Sequence, residues 1–193
     1  MNKKEYKLVL ASNSPRRKEL LSGLNKSIII RVKNDIDESY PSTLSALDVP
    51  EYLSKKKASN YEVADDEILI TADTLVMVDN TILGKPKDEK EAFDMLRLLS
   101  NKTHTVATGV CLKTSNKSIS FTDVTDVCFK ELSYEEINYY VSQFKPFDKA
   151  GSYGIQEWIG YIGITSIKGS YFNVMGLPVH RVYEKIQELE GNN

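Results

Sequence analysis

Arg16 and Arg17 stand where a helix built only for packing would not put them. They follow Ser12-Asn13-Ser14-Pro15, directly after the apolar run Lys7-Leu8-Val9-Leu10-Ala11. Ser14 is suited to cap a helix and Pro15 to occupy its first position, where a missing N–H is no loss. Both arginines then fall in the first turn, where each opposes the helix dipole by a few tenths of a kcal/mol, roughly. Free N–H groups, the dipole and two guanidinium forks favour one kind of partner, an anion such as phosphate. The bland alternative is a pair of solvated arginines on a surface helix. A second chemical feature is Asp73-Thr74, set between the apolar runs Ile68–Ala72 and Leu75–Val78. A carboxylate there is costly to bury unless it is paired or binds a cation, and its plain alternative is a satisfied Asp at a bulge or bend. Further charges lie in Asp35, Asp37 and Glu38, in Lys55-Lys56-Lys57 and in Gly84-Lys85-Pro86. Taken singly, these read as a solvated turn, a solvated helix face and an exposed lysine.

The elements that must carry these groups alternate between strand and helix. Strands are expected at 7–11, 28–32, 68–72 and 75–78, with Asp79-Asn80 as a tight turn into Thr81-Ile82-Leu83. Helices are expected from Asp48 to about Asn60, with Glu51 at the capping-box position, and from Asp88 through Ala92, Met95, Leu96 and Leu99. Two long β-prone runs, 105–113 and 118–131, suggest a hairpin about Thr114–Lys117. Ser133-Tyr134-Glu135-Glu136 caps a further helix, and a last one spans about Pro178 to Leu189. No linker rich in Pro, Gly or Ser divides the chain, so the expectation is a single α/β domain over residues 1–193 with a mixed sheet.

Composition narrows the function. With 41% hydrophobic and 27% charged residues, the 193-residue chain can bury a sizeable core. A net charge of −2 provides no broad positive field for nucleic acid, so any phosphate binding must be local. Cys111 and Cys128 are too few and too far apart for a disulfide framework or a zinc site. No run approaches a membrane span, and the cytoplasm is the expected compartment. Neither a G-x-x-x-x-G-K-[ST] loop nor a G-x-G-x-x-G after a strand is present, and G-x-S-x-G is also missing. His104, expected at a strand edge, and His180, on the last helix, read as surface or capped residues. A covalent Ser or Cys mechanism is disfavoured.

Taken in order, S-x-S-P-R-R-x-E-L-L, D-E, K-A, A-D-T, G-K-P, A-G-S-Y-G-I-Q and G-S-Y-F-N-V-M-G-L-P resemble the Maf family of nucleoside triphosphate pyrophosphatases, from residue 8 to about 180. The resemblance implies an elongated α/β fold with a central mixed sheet flanked by helices and a cleft between two lobes. It implies hydrolysis between the α and β phosphates with a divalent metal. The A-D-T and G-I-Q blocks look like the subgroup acting on dTTP and UTP. Carried over residue by residue, Ser12, Arg16 and Arg17 match the phosphate-binding block. Lys57 matches the K-A lysine, with Lys56 as the alternative register, and Lys85 that of G-K-P. Asp73 matches the proposed proton acceptor or metal ligand, and Glu38 a second metal ligand. Oxygen ligands suit magnesium or manganese better than zinc.

The resemblance also places Gln156 at the base, with Thr74 and Arg16 nearby. Its amide offers one acceptor and two donors, a match for N3–H and a carbonyl of thymine or uracil. Ser170 and Asn173 are candidates to touch the nucleotide, whereas Tyr171 and Phe172 are expected to pack the sheet. Glu157 departs from the family, which often has glycine there. Two other functions compete: a non-catalytic nucleotide-binding regulator of cell division or septum formation, and a pyrophosphatase for purines such as inosine triphosphate. Eleven tyrosines would serve a homodimer interface, yet aromatics also fill cores.

Overall fold

A computed structural model describes residues 6–191; residues 1–5 and 192–193 of the expected domain lie outside it. Strand β1 (Lys7–Leu10) is apolar without alternation because Leu8, Val9 and Leu10 are all fully buried, the pattern of a strand covered on both faces. It pairs in parallel with β2 (Ile28–Ile30) on one side and with β3 (Glu67–Val78) on the other; Leu10 lies opposite both Ile30 and Ile70. Strand β4 (Thr81–Leu83) pairs antiparallel with β3. The turn between them, Asp79-Asn80, has positive φ at both residues (48° and 63°), as a two-residue hairpin of this twist requires. With β5 (Thr103–Lys113), β6 (Ser118–Phe129) and β7 (Ile164–Lys168), the seven strands form one mixed sheet ordered β2-β1-β3-β5-β6-β7, with β4 on β3.

The helices are α1 (Pro15–Ser22), α2 (Val49–Ser59), α3 (Glu89–Leu99), α4 (Tyr134–Phe144), α5 (Trp158–Gly163), α6 (Tyr171–Met175) and α7 (Val179–Glu190). Their starts follow the sequence signals at three places. Ser14 Oγ accepts from Arg17 N–H, Asp88 from Glu91 N–H, and Ser133 with Glu136 forms a reciprocal capping box. Among the described residues no helix is long and apolar enough to cross a membrane.

The chain divides into two compact units: Met1–Asp73 with Thr108–Asp123 and Gly176–Asn193, and Thr74–Ala107 with Val124–Met175. In the first, α2 lies directly on β5. A Cβ added at Gly109 would fall 2.1 Å from the Glu51 nitrogen and the Pro50 carbonyl carbon, so only glycine permits this approach. In the second, α3 buries Ala92, Met95, Leu96 and Leu99, the residues its period marks.

Several expectations need correction. Strand β2 stops at Ile30; Arg31 N–H still donates to the Leu10 carbonyl at 3.0 Å, and its side chain forms a two-pronged pair with Glu67 at 2.8 and 2.6 Å. Asp73-Thr74 interrupts nothing: β3 is continuous for 12 residues. Asp48 precedes α2 without capping it through its side chain, having taken the Ser45 hydroxyl at 2.6 Å, and Glu51 turns to Lys55, Ser120 and Thr122. His104 is not a surface residue. It is 2% exposed, its Nε2 lies 2.7 Å from the Tyr153 hydroxyl, and its ring packs against Phe129. Tyr171 and Phe172 are not buried against the sheet; they are 39% and 46% exposed and meet each other edge to face.

Candidate functional site

The sheet order places a reversal at β1. The chain leaves β1, pairs next on one side as β2, and returns to the other side as β3. In open α/β sheets such a switch point, at the carboxyl ends of the strands, is where ligands bind. Ser12 lies two residues beyond Leu10, where β1 ends, and Asp73 lies three beyond Leu10's partner Ile70, on the part of β3 that runs on past the end of β1. The loop after β2 carries Glu38 to the same unit.

At the end of β1, the turn into α1 is built from its own side chains. Ser12 Oγ accepts the Ser14 N–H at 3.2 Å and lies 3.5 Å from Arg17 Nη1. Arg17 Nε donates to the Gly176 carbonyl at 2.9 Å, fixing the guanidinium over the helix start. Burial lowers the Arg17 pKa, the Asp73 carboxylate acts against that, and the Arg16 charge adds to the lowering. Two guanidinium groups thus stand together at the positive end of a helix, an arrangement that an anion relieves.

On α2, Lys57 and Lys56 turn to different partners. Lys57 Nζ lies 2.5 Å from Asp73 Oδ1 and 3.0 Å from Glu38 Oε1, whereas Lys56 turns to Asp37 and Ser39. Lys55 pairs with Glu51, so the three consecutive lysines have three separate tasks. The Lys57 and Asp73 side chains are 15% and 13% exposed, and a carboxylate that deep needs the partner it has. Glu38 is 61% exposed and shares the same ammonium. Asp37 fastens the loop: Lys56 and Ser39 hold its carboxyl well below the usual range.

Among the described residues, no three His, Cys, Asp or Glu side chains are placed to hold a metal ion by themselves. A pair of carboxylates on one ammonium is nevertheless a fitting donor set for magnesium. That ion is commonly held by one or two carboxylates, with waters and substrate phosphates completing its shell.

Thr74, Lys85 and Gln156 belong to the second unit. Thr74 is half-buried on β3 and Lys85 is exposed. The loop carrying Lys85 is fastened to the A-G-S-Y-G-I-Q segment, where Gly151 N–H donates to the Gly84 carbonyl at 3.0 Å. Gly151 has φ of 67°, and a Cβ there would meet the Val76 side chain within 3.0 Å, so the residue type is dictated twice. Gln156 is half-buried, and its Oε1 is buried with no hydrogen-bond partner among the described residues. Ser170 and Asn173 hold the chain in place: Ser170 N–H donates to Thr125 Oγ1 at 3.0 Å, and fully buried Asn173 donates to the Val106 carbonyl and Thr125.

Two participants escaped the sequence reading. The Gly176 carbonyl that anchors Arg17 carries no side-chain signal, although Gly176 sits in the M-G-L-P block. The other is the partnership of Glu157 with Tyr140 and Lys149, for which local spacing offers no cue.

A family described as "Maf-like protein" matches residues 7–189. Proteins named dTTP/UTP pyrophosphatase are similar along nearly their whole length. That of Parabacteroides distasonis is 53% identical over 96% of this chain and 97% of its own. Those of Phocaeicola vulgatus and Bacteroides thetaiotaomicron are 55% and 52% identical, each over 97% of this chain and 98% of theirs.

Proposed function

This chain belongs to the Maf family, and from that premise we propose that it hydrolyses dTTP and UTP between the α and β phosphates, releasing nucleoside monophosphate and pyrophosphate. The observation that carries the reading is the Lys57 ammonium between Asp73 and Glu38, with Asp73 on β3 just past the end of β1 from which the Ser12–Arg17 turn departs. No Ser or Cys nucleophile is required. Arg16, Arg17 and the start of α1 receive phosphate oxygens, and Lys57 adds positive charge for the departing pyrophosphate, a role that the family resemblance alone gives to Lys85. Catalysis is then positioning and electrostatic stabilisation of an in-line displacement. Lys57 occupies Asp73 Oδ1, which leaves Oδ2 to accept a proton from the attacking water. As the water oxygen bonds to phosphorus, the anhydride bond breaks and its electron pair leaves with pyrophosphate.

Glu38, and Asp73 where it is not the proton acceptor, are the residues that would hold a divalent cation, magnesium or manganese. When bound, such an ion neutralises phosphate charge and lowers the pKa of a bound water. The base reading rests on Gln156. A buried acceptor without a donor fits N3–H of thymine or uracil, and its amide N–H fits the adjacent carbonyl. Cytosine has an acceptor at N3, so it would leave Gln156 Oε1 facing a lone pair. Two free cysteines and a nucleotide substrate suit a reducing compartment such as the cytoplasm, and the reading gives the enzyme a role in clearing nucleotides.

The test is product analysis with magnesium and a panel of nucleoside triphosphates, beside Asp73→Asn. Monophosphate and pyrophosphate from dTTP and UTP are expected, with kcat reduced about 10²–10⁴-fold in the variant. Orthophosphate release would mean a different bond is cut. Preferential ITP turnover would move the pocket to purines, and binding without any turnover would make the protein a sensor.

A further inference from the structure

Glu157 follows the proposed base-reading residue directly, and a free carboxylate there would repel the carbonyl groups of a pyrimidine. The structure removes it from that role. Glu157 Oε2 accepts from the Tyr140 hydroxyl, and Oε1 lies 3.1 Å from Lys149 Nζ, whose side chain is 9% exposed. The same Tyr140 hydroxyl accepts the Gly154 N–H at 3.0 Å, so one phenol grips both ends of the turn 154–157. The backbone closes the turn again, with Glu157 N–H donating to the Gly154 carbonyl at 3.0 Å. Two glycines make this closure possible. A Cβ on Gly154 would lie 2.8 Å from Glu157 Cδ, and one on Gly160 would fall 1.9 Å from the Ile155 carbonyl oxygen.

Gln156 is the third residue of this turn, between the two gripped ends. Among the described residues its buried Oε1 has no hydrogen-bond partner. The clamp holds the residues on either side of it, Gly154 through its N–H and Glu157 through its carboxylate. We propose that Glu157, held by Tyr140 and Lys149, is a positioning residue that sets the Gln156 amide for pyrimidine selection. The inference rests on the base-reading role given to Gln156 above. Its physical basis is that a bidentate amide discriminates only while its plane is fixed; a loose one rotates to accept either hydrogen-bond pattern.

The experiment measures kcat/KM for UTP and CTP, with melting temperature, in the wild type and in Glu157→Ala, Glu157→Gln, Tyr140→Phe and Gln156→Ala. The wild-type UTP/CTP ratio reports on the base-reading role itself. A ratio near one would overturn that role, and with it any task for the clamp. Given a wild-type preference, Glu157→Ala and Tyr140→Phe are expected to lower the ratio about tenfold, chiefly through KM for UTP. Glu157→Gln, which can still accept from Tyr140, should stay within about threefold of wild type. Adding Glu157→Ala to Gln156→Ala should cost no further selectivity. A merely structural clamp gives the opposite pattern: equal losses for UTP and CTP that follow the melting temperature, with the ratio intact. That result overturns the proposal.

Discussion

At the scale of single residues, the site turns on a lysine with two carboxylates and the fold on a histidine without a charge. Lys57→Met should lower kcat/KM about 10²–10³-fold by removing charge aimed at the departing phosphates. It should also destabilise the protein by about 2 kcal/mol, since Asp73 loses its partner while still mostly buried. The two effects separate in Lys57→Met/Asp73→Asn, which is expected to regain the stability but not the activity. If urea unfolding instead shows both variants equally weakened, the ion pair is not what holds this corner. His104 makes a second residue-scale prediction. Burial lowers its pKa from 6.5 to about 4, so the folded state keeps the ring neutral while the unfolded chain takes up a proton below 6.5. The unfolded state therefore binds more protons between those values, and stability falls as pH falls. The loss from this residue is about 2 kcal/mol at pH 5. Melting curves between pH 7.5 and 5 should show a shallower acid slope for His104→Phe than for wild type; identical slopes would sink the assignment.

At the scale of elements, what could be read in the sequence was local and what could not was long-range. The Ser14 cap, the Asp88 cap and the Ser133–Glu136 box occur as expected because each bond spans three residues. Asp48 and Glu51 did not behave as a cap, because Glu51 found partners 69 and 71 positions away in Ser120 and Thr122. His104 was misplaced for the same reason: its partner Tyr153 lies 49 positions on. Tyr171 and Phe172 lie on the five-residue α6, where Asn173 and Met175 take the buried positions. For the candidate site, residue types were legible but the choice between Lys56 and Lys57 was not. It depends on which lysine the packing of α2 turns toward β3. That packing supplies an element-scale prediction at Gly109. A methyl group there collides with the backbone of Pro50 and Glu51, so Gly109→Ala must push the start of α2 away. The expected cost is about 3 kcal/mol, with a loss of activity because Lys57 rides on the same helix. A melting temperature within a degree of wild type would show that α2 does not rest on this strand.

At the scale of the whole molecule, charge separates a nucleotide enzyme from a nucleic-acid binder. The chain carries −2 overall, with 25 basic and 27 acidic residues, and two of its proposed site cations are held by short-range contacts. Lys57 holds two carboxylates, and Arg17 is engaged by Ser12 and Gly176. No broad field therefore draws in a polyanion from beyond a Debye length of about 8 Å at physiological salt. A compact triphosphate can gather several of these cations at once, whereas an extended strand presents only one or two phosphates to them. Proteins that neutralise 6–10 phosphates of a duplex lose roughly 10³–10⁵ in affinity between 50 and 200 mM salt. Here KM for UTP should change less than about threefold over that range, because partly buried contacts are weakly screened and the net charge of the protein adds no attraction to lose. Single-stranded oligonucleotide at the same phosphate concentration should not compete. A steep rise of KM with salt, together with inhibition by the oligonucleotide, would show instead that the arginines of α1 belong to a wider polyanion surface that the balance of charge conceals.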